Sequence, residues 1–179
     1  MPSRKAIRYA VRDGLLNQTT AGQAVFATRM IPVQPEQYPA IIAIYTFDDK
    51  IDPERGWQPE GVNRRLLTLA IEIVAAGKGA DDRIDDVADE VEATLAADPH
   101  LAAASGQGEA LVEWVGLKGL EIGRAEESDR LLIARQTWQV VYYTVPDEEV
   151  GVTPSDLFVN ECPPFGADHE EDYNLVASE

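Results

Sequence analysis

The chain carries one cysteine, Cys162, and two histidines, His100 and His169, among 179 residues. A lone cysteine closes no disulfide within its own chain, which fits synthesis in a reducing cytosol. His169 lies seven residues from Cys162, but two ligands do not make a structural zinc site. No G-x-S-x-G elbow, H-E-x-x-H pair or G-x-x-x-x-G-K-[ST] loop is present, and Gly77-Lys78-Gly79 lacks the phosphate-loop spacing. Ser105-Gly106-Gln107-Gly108 neither follows a strong strand nor opens a clear helix, so it fails as a dinucleotide fingerprint. Long apolar runs are missing too: none approaches the roughly 20 residues that span a bilayer. The basic N-terminus has no continuous apolar stretch, which argues against a secretory signal. From these absences we expect no enzyme, no cofactor, no metal site and no membrane partner. A carboxylate-only active site stays open, because acids are plentiful.

Positive charge is the other scarcity. The net charge is −17, and residues 146–179 hold ten Asp or Glu with no Lys or Arg. Residues 1–145 hold 15 basic against 22 acidic residues, a net of −7. Phosphate contacts require clustered Lys and Arg, so ordinary DNA or RNA binding is disfavoured, as is an anionic membrane surface.

The chain does have a clear order of patterned segments, αβββαββ. Ser3 caps a helix running to about Asn17, with Ile7, Val11 and Leu15 along one face. Arg4, Lys5, Arg8 and Arg12 lie mostly elsewhere on it, either as a solvated face or as a basic face meeting an acidic neighbouring subunit. Ala24–Thr28 reads as a short strand. Ala40–Phe47 reads as a strand buried on both faces. Arg65–Ala75 alternates with period two through Leu67, Leu69, Ile71 and Ile73. Asp81 or Asp82 then caps a helix reaching Ala97, with Ile84, Val87, Ala88, Val91 and Leu95 as its buried stripe. Its i, i+4 carboxylates read as a solvated face, not a cation site. Leu111–Arg124 is extended but interrupted at Gly116 and Gly119, which suggests a bend or bulge. Leu131–Val145 puts Leu132, Ala134, Trp138, Val140 and Tyr142 on a face expected under the helices. Its other face, Ile133, Arg135, Thr137, Gln139, Val141 and Tyr143, is expected to meet a partner or solvent.

The fold expected is α+β: a mainly antiparallel mixed sheet of about five strands packed against two helices, with an extended acidic C-terminal arm. The body is 1–145 and the arm 146–179. Asp48–Gly61 reads as a long polar loop, and loops of that length in compact domains are commonly functional or disordered. Its large apolar residues, Ile51 and Trp57, either fold back on the body or, with Arg55, anchor a partner. Phe158 and Phe165 sit in sparse apolar clusters of the arm, read as short docking segments.

Three stretches resemble the tail terminator proteins of long-tailed bacteriophages. Ala24–Thr46 joins a short strand ending near Arg29, a proline-marked loop, and the strand opened by Pro39-Ala40-Ile41. Arg64–Leu101 is a strand leading directly into an acid-rich helix that ends at Asp98-Pro99. Arg135–Thr144 is the terminal strand. Together with the first helix they cover nearly all of residues 1–145. The resemblance implies a non-enzymatic homohexameric ring in the virion, at the head–tail junction, assembled in the host cytoplasm. It implies three partners: further copies of the chain, the tail tube protein, and a head-tail connector or head-completion protein. Genomic DNA would pass the acidic lumen without specific binding. The segment after the last strand, 146–179, departs from the family pattern; it either straps a neighbouring subunit or head-side partner, or adds solubility. The rival readings are another neck component, such as a head-closure or tail-completion protein, and a cytosolic acidic adaptor acting as monomer or dimer.

Overall fold

The computed structural model describes residues 2–28, 40–55, 61–103, 108–125 and 128–145, and the backbone of 156–159 and 174–177; the side chains of 40, 41, 125 and 128–130 fall outside it. The chain divides into two compact units, Met1–Val145 and Pro146–Glu179.

In the first unit, α1 (Arg4–Leu15) opens at Ser3, whose hydroxyl accepts the Ala6 N–H at 3.1 Å. The helix stops two residues before the expected Asn17. Asn17 takes a left-handed φ of 59°, and its N–H turns to the Gly22 carbonyl. Ile7, Ala10, Val11 and Leu15 are buried.

Strands β1 (Val25–Phe26), β2 (Ala40–Ile51), β3 (Asn63–Ala76), β4 (Trp114–Ala125) and β5 (Ser128–Thr144) form one mixed sheet in the order β1-β2-β3-β5-β4. The short β1–β2 pair is parallel; the other pairs are antiparallel. β3 buries Leu67, Leu69, Ile71, Ile73 and Ala75 at 0% exposure, the alternation its sequence carries. β5 does the same with Ala134, Gln136, Trp138, Val140 and Tyr142. Facing residues in an antiparallel ladder share a side of the sheet. Leu67 opposite Val140 and Ile73 opposite Ala134 therefore place both buried rows on one side.

Two expectations for the strands need correction. Asp48–Lys50 belongs to β2, not to a loop: Asp48, Asp49, Lys50 and Ile51 pair with Thr68, Leu67, Leu66 and Arg65. Nor is β2 buried on both faces along its length. Ile42, Ala43 and Ile44 are buried, but Phe47 is 63% exposed. The ladder slips by one residue between Thr46 and Asp48, which leaves Phe47 as a bulge. The interruption expected in β4 is real, with a register shift between Leu117 and Gly119.

Helix α2 (Ala80–Ala97) lies over β3 and β5 and buries Ile84, Val87, Ala88, Val91 and Leu95, the expected stripe. Each of these Ile, Val and Leu side chains contributes about 1.5–3 kcal/mol on burial. Its cap is not Asp81 or Asp82 but Gly79, left-handed at φ 75° with no side-chain bond. Ala80 N–H already bonds the Gly77 carbonyl, so the turn closes before the acids arrive. Only glycine adopts that φ without strain, and Asp81 and Asp82 serve the helix dipole instead. Asp98 ends the helix, and its carboxylate accepts the N–H groups of Ala102 and Ala103, each at 2.9 Å. Both helices join one core cluster with the buried rows of β2, β3 and β5. The fold is thus α+β, two helices on one side of a five-stranded mixed sheet.

In the second unit, β6 (Asp156–Val159) pairs antiparallel with β7 (Asn174–Ala177). Among the described residues no helix is long and apolar enough to cross a membrane.

Candidate interaction surfaces

At the Asn63 end of β3 the apolar row gives way to charge. Arg65 continues the row of Leu67 and Leu69, and Arg64 points to the opposite side. Arg65 is held by a carboxylate of β2, and Arg64 by carboxylates just after β2 and just before β4.

On the helix side, Arg65 Nε donates to Asp49 Oδ1 at 2.9 Å, and the Tyr142 hydroxyl donates to Asp49 Oδ2 at 2.9 Å. Arg4, at the start of α1, reaches the same carboxylate at 3.5 Å. The Asp49 side chain is only 7% exposed, so this charge is desolvated and answered from three elements. Burial, followed by the hydrogen bond to Asp49 and then its charge, pushes the Tyr142 phenol up.

On the other side, Arg64 grips Glu113 with two bonds, Nε to Oε2 at 2.9 Å and Nη2 to Oε1 at 3.0 Å. It also bonds Asp52 Oδ2 through Nη1. The other Asp52 oxygen accepts the Glu54 and Arg55 N–H groups at 2.9 and 3.3 Å, the geometry of an Asx turn. Those two N–H groups and Arg64 together lower the Asp52 carboxyl, with Glu54 the largest cause. Arg64 holds the Glu113 carboxyl below its usual range, and Glu113 raises the Tyr143 phenol through a hydrogen bond. Carboxylates held this firmly in the charged form are poor proton carriers near neutrality. What the corner does is mechanical. Arg64 ties the turn after β2 to the segment entering β4, across β3 and β5.

The expected site residues divide as follows. Ile51 lies at the end of β2, 49% exposed, and Arg55 is exposed in the turn beside Asp52. Trp57 and Phe165 lie outside the described residues. Phe158 has its backbone in β6, opposite Leu175. Arg4 joins the Asp49 corner, while Arg8 and Arg12 lie along α1 over the Tyr9 ring, at 6.0 and 4.5 Å from its centroid. Lys5 stands 5.9 Å from that ring. Ile51, Arg55 and Arg4 are thereby gathered at one end of the sheet, and Arg8 and Arg12 form a separate surface. Among the described residues no group of three or more His, Cys, Asp or Glu could hold a metal ion.

The sequence reading overlooked Asp49, Asp52, Arg64, Arg65 and Glu113. The available signal was opposite charge at strand ends, Asp48-Asp49 closing one strand and Arg64-Arg65 opening the next. It also left Gln136 off the helix-facing row. That side chain is fully buried, donating to the Ala88 carbonyl at 3.0 Å and accepting the Trp138 indole N–H at 3.2 Å.

On the side of the sheet away from the helices, Trp114 lies 41% exposed with its ring across Gly116. Arg135 pairs there with Glu72 at 2.5 Å and covers the Phe47 ring at 5.6 Å.

No protein-family model matches the chain, and no curated protein matches it. Thirty solved chains do match. One is described as the sheath/tube terminator of an extracellular contractile injection system, PVC, in the extended state. It shares 16% identity with this chain, covering 94% of this chain and 67% of its own length, with a TM-score of 0.40. A likeness that distant carries no functional argument.

Proposed function

We propose that this chain is a tail terminator, a structural protein that closes the tube of a phage tail or tail-like particle at its set length. Six copies form a ring on the tube end, stop polymerisation and offer the surface for head attachment. The observation that carries this reading is where the three resembling segments fall. Ala24–Thr46 includes β1 and the first half of β2, Arg64–Leu101 holds β3 and α2, and Arg135–Thr144 is most of β5. They are neighbours in the order β1-β2-β3-β5, so the resemblance follows four successive hydrogen-bonded strands of the sheet. Scattered surface turns would not.

In this reading the fold supplies a rigid base and the surface supplies the contacts. The β2–β3 connection, anchored by Arg64 and Asp52, is the element that meets the tube, with Ile51, Arg55 and Trp57 as contacts. Residues 146–179 form an acidic extension that straps a neighbouring copy or the head-side connector, with Phe158 and Phe165 as anchors. The acidic body lines a lumen that DNA crosses without binding, because like charge removes the counterion-release gain. No catalysis and no cofactor is required. The site of action is the head–tail junction, with assembly in the host cytoplasm.

The test is negative-stain microscopy of purified tube protein polymerising with and without the chain. Tubes of arrested length, each capped by a six-fold ring, are the expected result. Tubes of unchanged length would overturn the reading and favour a head-side neck protein.

A further inference from the structure

We infer that copies of this chain bind one another head to tail, the cationic stripe of α1 on one copy lying against the acidic stripe of α2 on the next. The two stripes match in spacing as well as in sign. Lys5, Arg8 and Arg12 follow i, i+3, i+7 along α1; Asp82, Asp85 and Asp89 follow the same steps along α2. Each stripe is about 10 Å long at 1.5 Å per residue. Asp86 supplies the i, i+4, i+7 alternative, so the match survives either relative direction of the helices.

Among the described residues most of these charges have no opposite charge beside them. Among the described residues Lys5 and Arg8 make no ion pair and only face the Tyr9 ring. Arg12 pairs with the adjacent Asp13 and stands over the same ring. Asp82, Asp85, Asp86 and Asp89 are exposed, and among the described residues their side chains make no ion pair or hydrogen bond. The nearby Arg83 is turned away, bonding the Ala76 and Lys78 carbonyls.

α1 begins with two cations and no acid in its first turn, opposite to what its dipole favours. α2 sets carboxylates at i, i+4, each like-charged pair destabilising by about 0.2–0.5 kcal/mol, a cost that Asp82 offsets in part by its place in the first turn.

A second copy is the occupant that the charges identify, because each stripe's complement is on the same molecule. The two surfaces differ, so the contact is heterologous and propagates until it closes on itself. The inference deepens the ring reading and rests on it for the number of copies, not for the contact.

The experiment is sedimentation of the full chain at about 0.01 M and about 1 M salt, where the Debye length is about 30 and about 3 Å. Association at low salt and its loss at high salt are expected. Lys5→Glu with Arg8→Glu, and separately Asp85→Lys with Asp89→Lys, should each weaken association at least about tenfold. Mixing the two variants should restore it, since each supplies the stripe the other lacks; a misfolded variant could not do this. A chain that stays monomeric at low salt, variants that associate as the native chain does, or a mixture that fails to recover would each overturn the inference. Copies that associate as described yet leave tubes uncapped would keep this contact and remove the terminator reading.

Discussion

Strand β3 changes its chemistry partway along one face, and the two ends hold the protein together in different ways. From Leu67 to Ala75 every second residue is sealed beneath the helices. One step further, Arg65 occupies the same row and answers a carboxylate instead of a methyl group. The apolar end draws on burial, which is strong and indifferent to partner identity. The charged end draws on directional bonds between groups already removed from water, which add little net stability but admit one arrangement. Asp49 is met by Arg65 and Tyr142, with the exposed Arg4 at 3.5 Å, so the end of β2 is held to β3 and β5 there. Arg64 likewise fixes the turn after β2.

The comparison breaks most sharply at its apolar end. Ile71→Ala removes a side chain with no exposure and should cost about 2–5 kcal/mol in urea unfolding. Replacing Arg65 and Asp49 together by Met and Leu should cost much less, and an equal loss would erase the distinction between the two ends. Gln136→Leu tests the polar group inside the apolar end. It strands the Trp138 indole N–H, at about 1–3 kcal/mol, while the Ala88 carbonyl keeps its bond within α2. A neutral result would mean that the indole finds another acceptor.

At the charged end, Arg64→Leu should change the shape of the stability–pH curve more than its height. Glu113 ordinarily titrates at 4.5 and Arg64 lowers that value in the fold. Its contribution is therefore complete above about pH 4.5 and disappears as pH falls through the depressed folded value. The gap between native and variant should be present at pH 6–7 and close on acidification. A gap of constant size from pH 7 to 3 would show that Arg64 acts through packing alone. Gly116→Ala acts on the other side of the sheet. The new methyl group collides with the Trp114 ring, which must swing off the sheet and lose its packing, at about 1–3 kcal/mol. Unaltered Trp114 fluorescence, read against a Trp114→Phe control, would rule that movement out.

What the sequence disclosed follows the same division. The stripe of α2, the alternation of β3 and the parity of β5 were legible because burial leaves a period in the chain. The corner leaves none. Arg64 and Glu113 are 49 residues apart, and Asp49 and Tyr142 are 93 apart. Their pairing exists only once β2, β3, β5 and the start of β4 lie side by side. Asp48–Lys50 looked like a loop because charge on a sheet edge resembles charge in a loop. Gln136 was passed over because a polar residue on an apolar row shows its partners only in three dimensions. The opening of α2 was misplaced for a similar reason. Asp81 and Asp82 have the right side chains for a cap, but the left-handed backbone at Gly79 had already begun the helix.

The bulge at Phe47 has a consequence for how this strand tolerates changes of length. Residues up to Thr46 pair on one count and residues from Asp48 on the next, so Phe47 is a guest between two ladders, not a rung of either. Remove it, and Asp48 still faces Thr68 while Asp49 still turns toward Arg65. Remove any single residue from Asp48 to Lys50 while the bulge stays at Phe47, and the remainder of that charged end changes sides. Insertions and deletions in β2 should therefore be absorbed at this one position, leaving a strand whose length can vary while its two halves keep their meaning.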